Sequence, residues 1–127
     1  MQFYRQRQDA TTKAATLIQV NLPALRPGEA VELFACSVDN NSGETLTAQI
    51  GIAEGSDFFP LQAKHQAATG DTNTIVGQIF LFEGQNLAAQ VTGTALNGPV
   101  TLYANGRVHD PDYGAETVVV DLKARGA

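Results

Sequence analysis

The sequence predicts an all-β protein: an antiparallel β-sandwich or jelly roll with seven or eight strands and an extended N-terminal arm. Three observations carry this prediction. Apolar and polar side chains alternate over short runs, which is the period of a strand with one buried face. Turns rich in glycine, asparagine and proline separate these runs at spacings of about ten residues. No stretch shows the apolar period of a helix.

The chain of 127 residues is long enough for one domain with a modest core. Residues 1–14 are polar apart from two aromatic side chains and are interpreted as an extended arm, with residues 15–127 as a single sandwich domain. Glu54–Pro60 is interpreted as a loop, and Leu61–Ala67 as a short edge strand or extended coil. The predicted strands are Thr16–Leu22, Val31–Val38, Thr45–Ala53, Thr74–Phe82, Leu87–Thr92, Val100–Ala104 and Thr117–Lys123.

Some positions within these strands have specific predicted roles. Val31–Val38 is apolar on both faces, which favours a central strand. Gly77 lies inside a strand and predicts a bulge or a close backbone contact. Phe34, together with either Phe80 or Phe82, is expected to fill the core.

Charge and hydropathy exclude some classes of function. The net charge of −5 argues against a protein that binds nucleic acid by neutralising phosphates. Residues 1–26 carry +3, so the remainder of the chain carries −8. This basic start is either a docking element for an acidic partner, including a second copy, or a solvated tail. No apolar run approaches the roughly 20 residues of a membrane span, and the N-terminus lacks the apolar segment of a signal peptide.

The sequence offers little reactive chemistry, so we expect no enzymatic activity, catalytic residue or cofactor. Cys36 lies in an apolar run without an activating neighbour and is interpreted as a small buried residue. Two histidines are too few for a zinc or cupin-type metal site. Glu32 and Asp121 are the candidates for a glycosidase-type carboxylate pair, but each alternates with apolar neighbours as a solvent-facing residue does.

One acidic loop begins at His109 and contains Asp110, Asp112 and Glu116. Oxygen ligands at alternate positions near a glycine are compatible with a calcium ion, although the spacing is not that of an EF-hand. A tight surface turn fixed by Pro111 accounts for the same residues. The sequence therefore leaves cation binding open, and no metal site is predicted.

Two groups of residues are candidates for contacts between subunits: Phe3, Tyr4, Arg5 and Arg7 in the arm, and the adjacent pair Phe58 and Phe59. In an extended segment, one of two adjacent rings points inward and the other outward. An exposed phenylalanine beside Pro60 would suit an assembly contact, whereas two inward rings would close one end of the sandwich. Tryptophan is absent, which weakens the case for a sugar-stacking platform.

Turns and strands follow one another in a distinctive order: Pro27-Gly28, Asn41-Ser42-Gly43, Leu46–Ile52, Glu83-Gly84-Gln85, Leu87–Val91 and Val100–Gly106. In this order, residues 16–107 resemble the small β-sandwich virion structural proteins of tailed phages. That family includes capsid decoration (cement) proteins and tail or connector accessory proteins. The resemblance implies a homo-oligomer, with a trimer favoured, bound to the major capsid protein or other virion proteins. It also implies that the protein is made in the host cytoplasm and has no enzymatic activity. The segment after Gly106 departs from the family pattern.

The function favoured at this stage is therefore a capsid decoration protein that stabilises the shell through contacts between subunits. Two alternatives stay open. One is a tail or connector component, and the other is a receptor- or glycan-binding module at a tail tip. Neither nucleic acid nor a membrane is expected as a partner.

Overall fold

The structure is a computed structural model that describes residues 2–109. These residues form nine strands: β1 (Gln2–Thr11), β2 (Ile18–Asn21), β3 (Ala30–Asn40), β4 (Leu46–Glu54), β5 (Asp57–Pro60), β6 (His65–Ala67), β7 (Thr72–Phe82), β8 (Gln85–Gly93) and β9 (Pro99–His109). The predicted strand Thr117–Lys123 and the acidic loop beyond His109 lie outside the described residues. Within residues 2–109, no helix is long and apolar enough to cross a membrane.

The strands pair antiparallel in two sheets. The four-stranded sheet has the order β1-β9-β3-β7. The five-stranded sheet has the order β2-β8-β4-β5, and β6 also pairs with β4. The predicted antiparallel β-sandwich is confirmed, and β3 is a central strand as its apolar faces indicated.

The hydrophobic core consists of the inward-facing side chains of both sheets. Leu33 of β3, Ile50 of β4, Leu87 of β8 and Leu102 of β9 are each at most 1% exposed. Burying an aliphatic side chain of this size stabilises a fold by about 1.5–3 kcal/mol. Within a strand, the inward-facing residues occupy alternate positions. The period-two pattern of the sequence therefore marks the core directly.

The predicted N-terminal arm is not separate from the sandwich. β1 pairs with β9 along its whole length, from Gln2 opposite Val108 to Thr11 opposite Pro99. Tyr4 belongs to the core and is 7% exposed. The segment is extended, as expected, but its residues 2–11 are an edge strand of the four-stranded sheet. The segment lacks the alternating pattern of a strand because only one of its large side chains is buried.

Two other segments contain short strands, one where a loop was predicted and one where a short strand or coil was predicted. Glu54–Pro60, interpreted as a loop, contains β5, which pairs with the end of β4. Leu61–Ala67 contains β6, a strand of three residues. β9 also extends beyond the predicted strand Val100–Ala104 and includes Asn105 and Gly106. A Cβ atom at Gly106 would come within 2.9 Å of the Leu33 Cα, so this glycine permits close packing of β9 against β3.

The predicted bulge at Gly77 is present. Leu33 of β3 lies opposite Ile79, and Ala35 lies opposite Val76, so two residues of β7 face one residue of β3. Gly77 has a φ of 148°, which an L-residue with a side chain rarely adopts.

The prediction that Phe34 and one of Phe80 or Phe82 fill the core is wrong. Phe34 is the extra residue of β3 against β9 and is 43% exposed. On β7 the inward positions belong to Ile79 and Leu81, which leaves Phe80 47% and Phe82 55% exposed. Because β7 is apolar on both faces, its sequence does not show which set of side chains points inward.

Candidate assembly surface

The outer face of the four-stranded sheet is the most distinctive surface in the described residues. One row of paired residues crosses all four strands: Phe3 of β1, Arg107 of β9, Glu32 of β3 and Phe80 of β7. The row begins and ends with an exposed aromatic ring, and its centre is a pair of opposite charges. Residues from both ends of the described chain therefore meet on one face.

Five large apolar side chains are exposed on this side of the molecule. We call them the outer apolar face: Phe3 (71% exposed), Phe34 (43%), Val76 (79%), Phe80 (47%) and Phe82 (55%). Four of the five lie on the neighbouring strands β3 and β7. Single exposed apolar residues are ordinary, but a group on one sheet face is characteristic of a surface that contacts another molecule.

A hydrogen-bonded ion pair lies at the centre of this surface. Arg107 Nε donates to Glu32 Oε1 at 2.8 Å, and Gln78 Nε2 donates to Glu32 Oε2 at 2.8 Å. His109 Nε2 lies 3.8 Å from Glu32 Oε1. Although Glu32 points toward the outer face, it is only 3% exposed. The hydrogen bond from Arg107 lowers the pKa of Glu32, against the opposing effect of burial.

Arg107 also connects the charged centre to the apolar residues. Its guanidinium carbon lies 5.9 Å from the centre of the Phe34 ring, within the range of a cation–π interaction. The bulge at Phe34 therefore has a local consequence, because it places an aromatic ring beside the cation that pairs with Glu32.

The predicted contact residues of the N-terminal segment separate into two groups. Phe3, Arg5 and Arg7 are exposed on β1, whereas Tyr4 points into the core. Burial, assisted by the nearby charge of Glu29, raises the pKa of Tyr4 to about 12. Tyr4 is thus a core residue rather than an exposed contact, because adjacent residues of a strand point to opposite faces.

Arg7 is engaged within its own sheet. Its Nε donates to Asp9 Oδ1 at 3.2 Å, and its guanidinium carbon lies 5.6 Å from the centre of the Tyr103 ring. Thr101 Oγ1 donates to the same Asp9 oxygen at 2.7 Å. The hydrogen bonds from Thr101 and then Arg7 lower the pKa of Asp9. Both charges are exposed, so their pairing contributes little to stability.

Phe58 and Phe59 lie on β5, at the edge of the other sheet. Phe58 is partly buried and packs against the backbone of Gly51, while Phe59 is 51% exposed. The structure therefore does not bring this pair together with the N-terminal candidates. Two of the five residues of the outer apolar face, Phe34 and one of Phe80 and Phe82, were expected in the core, so the sequence carried no separate signal for this surface.

The outer face of the five-stranded sheet has a different character. Gln90 Nε2 donates to Gln19 Oε1 at 3.1 Å, and Gln19 Nε2 donates to Asn21 Oδ1 at 2.8 Å. Asn86 Nδ2 also donates to Asn21 Oδ1, at 3.2 Å. This is a row of uncharged amides that hydrogen-bond one another.

Within residues 2–109, no group of three or more histidine, cysteine, aspartate or glutamate residues is arranged to hold a metal ion.

Comparison with known proteins finds similarity in fold. No family model matches the chain, and no curated protein matches it. The crystal structure of PirA is 13% identical over 77% of this chain and 92% of that chain, with a TM-score of 0.52. A chain of the cyanophage Pam1 capsid asymmetric unit is 16% identical over 83% of this chain and 84% of that chain, with a TM-score of 0.48.

A chain of the Bacillus endospore appendages, described as disulfide-linked pili, is 14% identical over 84% of this chain and 88% of that chain, with a TM-score of 0.46. The structural neighbours thus include capsid and pilus proteins at low identity. At these identities the likeness shows the β-sandwich fold alone.

Proposed function

We propose that this chain is a structural subunit of a phage virion, a capsid decoration protein that stabilises the shell through contacts between subunits. The observation that carries the proposal is the outer apolar face, with five exposed large apolar side chains on one side of the four-stranded sheet. The proposed partners are further copies of this chain and the major capsid protein. The resemblance of residues 16–107 to small β-sandwich virion structural proteins of tailed phages favours a trimer and synthesis in the host cytoplasm.

The chemistry of this surface suits burial against another protein. Aromatic side chains are the commonest anchors of protein interfaces, and three phenylalanines lie close to its charged centre on β3 and β7. Each exposed ring that leaves water on association contributes on the order of 1 kcal/mol, because it is already about half buried. Glu32 and Arg107 are paired with each other, so covering them leaves no unmatched charge from this pair.

The hydrogen bonds of Glu32 support a non-catalytic role for this carboxylate. Both carboxylate oxygens of Glu32 accept hydrogen bonds, one from Arg107 and one from Gln78. A general acid needs a carboxyl group whose pKa is raised, whereas the pKa of Glu32 is lowered. Its environment is that of a structural ion pair.

The two alternatives make different demands on the molecule. A tail or connector component would use the same outer apolar face but would occupy another position in the particle. A receptor- or glycan-binding module needs polar groups free to bind hydroxyls, whereas the amides of the five-stranded sheet already hydrogen-bond one another. A glycan array with the isolated protein separates this second alternative, since specific sugar binding would contradict a purely structural role.

The direct test is immunogold electron microscopy of particles of the phage that encodes the chain. We expect gold on the head. Gold confined to the tail would favour the connector alternative, and unlabelled particles would contradict the virion assignment. Val76→Asp should lower the amount of chain retained by the particles, because it places a charge on the outer apolar face. The matched control is Leu96→Asp, since Leu96 is 70% exposed but lies in the turn between β8 and β9.

A further inference from the structure

β7 is a long edge strand with few of the features that normally protect an edge. In the described residues it pairs with β3 on one side and is the last strand of its sheet. Its 11 residues, TNTIVGQIFLF, include no charged residue and no proline. Natural edge strands are usually short, charged, covered or interrupted by proline, because their free backbone groups can pair with another chain.

The other sheet edges have such protection. β1 carries Arg5, Arg7 and Asp9. On the five-stranded sheet, β2 and β5 have only four residues each, β6 has three, and β5 includes Pro60. The bulge at Gly77 interrupts β7 at its middle, but the half from Ile79 to Phe82 is apolar on both faces. This half is therefore the part of the edge most suited to a further strand.

Strand direction and residue position identify what fits beside it. Neighbouring strands alternate in direction across the order β1-β9-β3-β7, so β1 and β7 run in opposite directions. β1 of a second copy, placed beside β7 in the same orientation, is antiparallel to it. If the sheet rows continue without a shift, Phe80 lies opposite the second copy's Phe3, since both belong to the same row.

The neighbouring position on each strand also carries a large apolar side chain. Ile79 then lies opposite the Tyr4 of the second copy, and both side chains face the sandwich interior. Cross-strand pairs of aromatic and β-branched residues stabilise antiparallel sheets. The arginines of β1 meet no positive charge on β7, because β7 has no charged residue.

We propose that β1 of a second copy adds to the edge of β7 that is unpaired in residues 2–109, so that the four-stranded sheet continues from one subunit into the next. The contact is head-to-tail, and it uses both outer edges of the sheet in each subunit of a closed ring. The inference rests on the self-association proposed above but not on the virion assignment, since the purified chain alone tests it.

The experiment is disulfide crosslinking between two separately purified full-length variants, Phe3→Cys and Phe80→Cys. Within one chain these positions are three strand spacings apart, about 14 Å, which is too far for a disulfide. Cys36 does not interfere, because it is buried and burial raises the pKa of its thiol to about 11. The mixture should form a covalent dimer of twice the 13.5 kDa chain mass under mild oxidation, whereas neither variant alone should do so.

A second pair, Arg5→Cys with Gln78→Cys, keeps both phenylalanines and tests the neighbouring outward positions. A covalent dimer from either mixed pair supports the proposal. A dimer formed by Phe80→Cys alone shows two β7 strands paired with each other and overturns it. Failure of both mixed pairs to crosslink also overturns it, whether or not the wild-type chain sediments as an oligomer. The location of the protein in particles does not affect any of these outcomes.

Discussion

Glu32 is nearly removed from water although it points away from the core. Arg107 and Gln78 cover its carboxylate and donate a hydrogen bond to each oxygen. A buried carboxylate without such donors would have a raised pKa, but here the hydrogen bond from Arg107 dominates and the pKa is lowered. The folded state therefore keeps this carboxylate ionised at pH values where the unfolded chain already binds a proton.

The sign of the resulting pH dependence follows from this lowered pKa. The stabilisation is fully present above the unfolded pKa of about 4.3 and is lost as the pH falls through the lower folded pKa. We expect Glu32→Gln to flatten the acid-induced loss of unfolding free energy, measured by urea unfolding at a series of pH values from neutral downward. Part of the slope should remain, because the pKa values of Asp9 and Glu29 are also lowered. Glu54→Gln, at an exposed residue, is the control, and parallel curves for wild type and Glu32→Gln would contradict the assignment.

At the scale of the element, β1 shows how one strand serves two surfaces. Tyr4 is 7% exposed in the core, and its neighbour Phe3 is 71% exposed on the outer apolar face. The two rings are similar in size, so their different surroundings determine what each contributes. Tyr4 stabilises the fold, whereas Phe3 is available for contact with another molecule.

Truncating each ring tests this division. Tyr4→Ala should lower the unfolding free energy by roughly 3 kcal/mol, as for other buried aromatic residues, while Phe3→Ala should change it by less than about 0.5 kcal/mol. Urea unfolding of both variants gives the comparison, with Phe3→Ala as the matched control. An equally small effect of both variants, below about 0.5 kcal/mol, would mean that β1 is not held as an edge strand of the sandwich. In that case residues 1–14 would behave as the independent arm that the sequence suggested.

The same strands show what sequence patterns can and cannot reveal. β4 was predicted closely because Leu46, Ala48 and Ile50 alternate with polar residues and are all buried. β7 was located well, but both of its faces are apolar, so Phe80 could be assigned to the wrong side. The exposure of Phe34 depends on a bulge of β3 against β9, a strand about 70 residues further along the chain. Local periodicity carries no record of such a pairing.

At the scale of the whole molecule, the candidate surface exists only because of the strand order. Phe3 and Phe80 belong to strands at opposite edges of one sheet, and β9 and β3 lie between them. Their common row depends on three successive pairings between residues far apart in sequence. The sequence indicated Phe3 as a contact residue, but it could not place Phe80 or Val76 on the same side of the protein. The fold class was therefore predictable from residues, whereas the surface required the sheet register.

The charge distribution of the whole chain offers a rival explanation for self-association. Residues 1–26 carry +3 and the remainder carries −8, which would favour binding of the basic segment of one copy to the acidic body of another. The proposed contact is instead formed against a strand without charges. Salt distinguishes the two, because the Debye length falls from about 10 Å at 0.1 M to about 3 Å at 1 M. Apolar burial is not screened in this way.

We therefore expect the association constant of the wild-type chain, measured by sedimentation velocity across this range of sodium chloride concentration, to stay constant or rise. Arg5→Gln should change it little, because Arg5 meets no opposite charge on β7. Phe80→Asp should weaken association at every salt concentration, since it places a charge at the centre of the apolar contact. Dissociation of the wild-type oligomer with rising salt, together with weakening by Arg5→Gln, would instead show that the basic segment holds the subunits together. The outer apolar face would then have to bind a different partner.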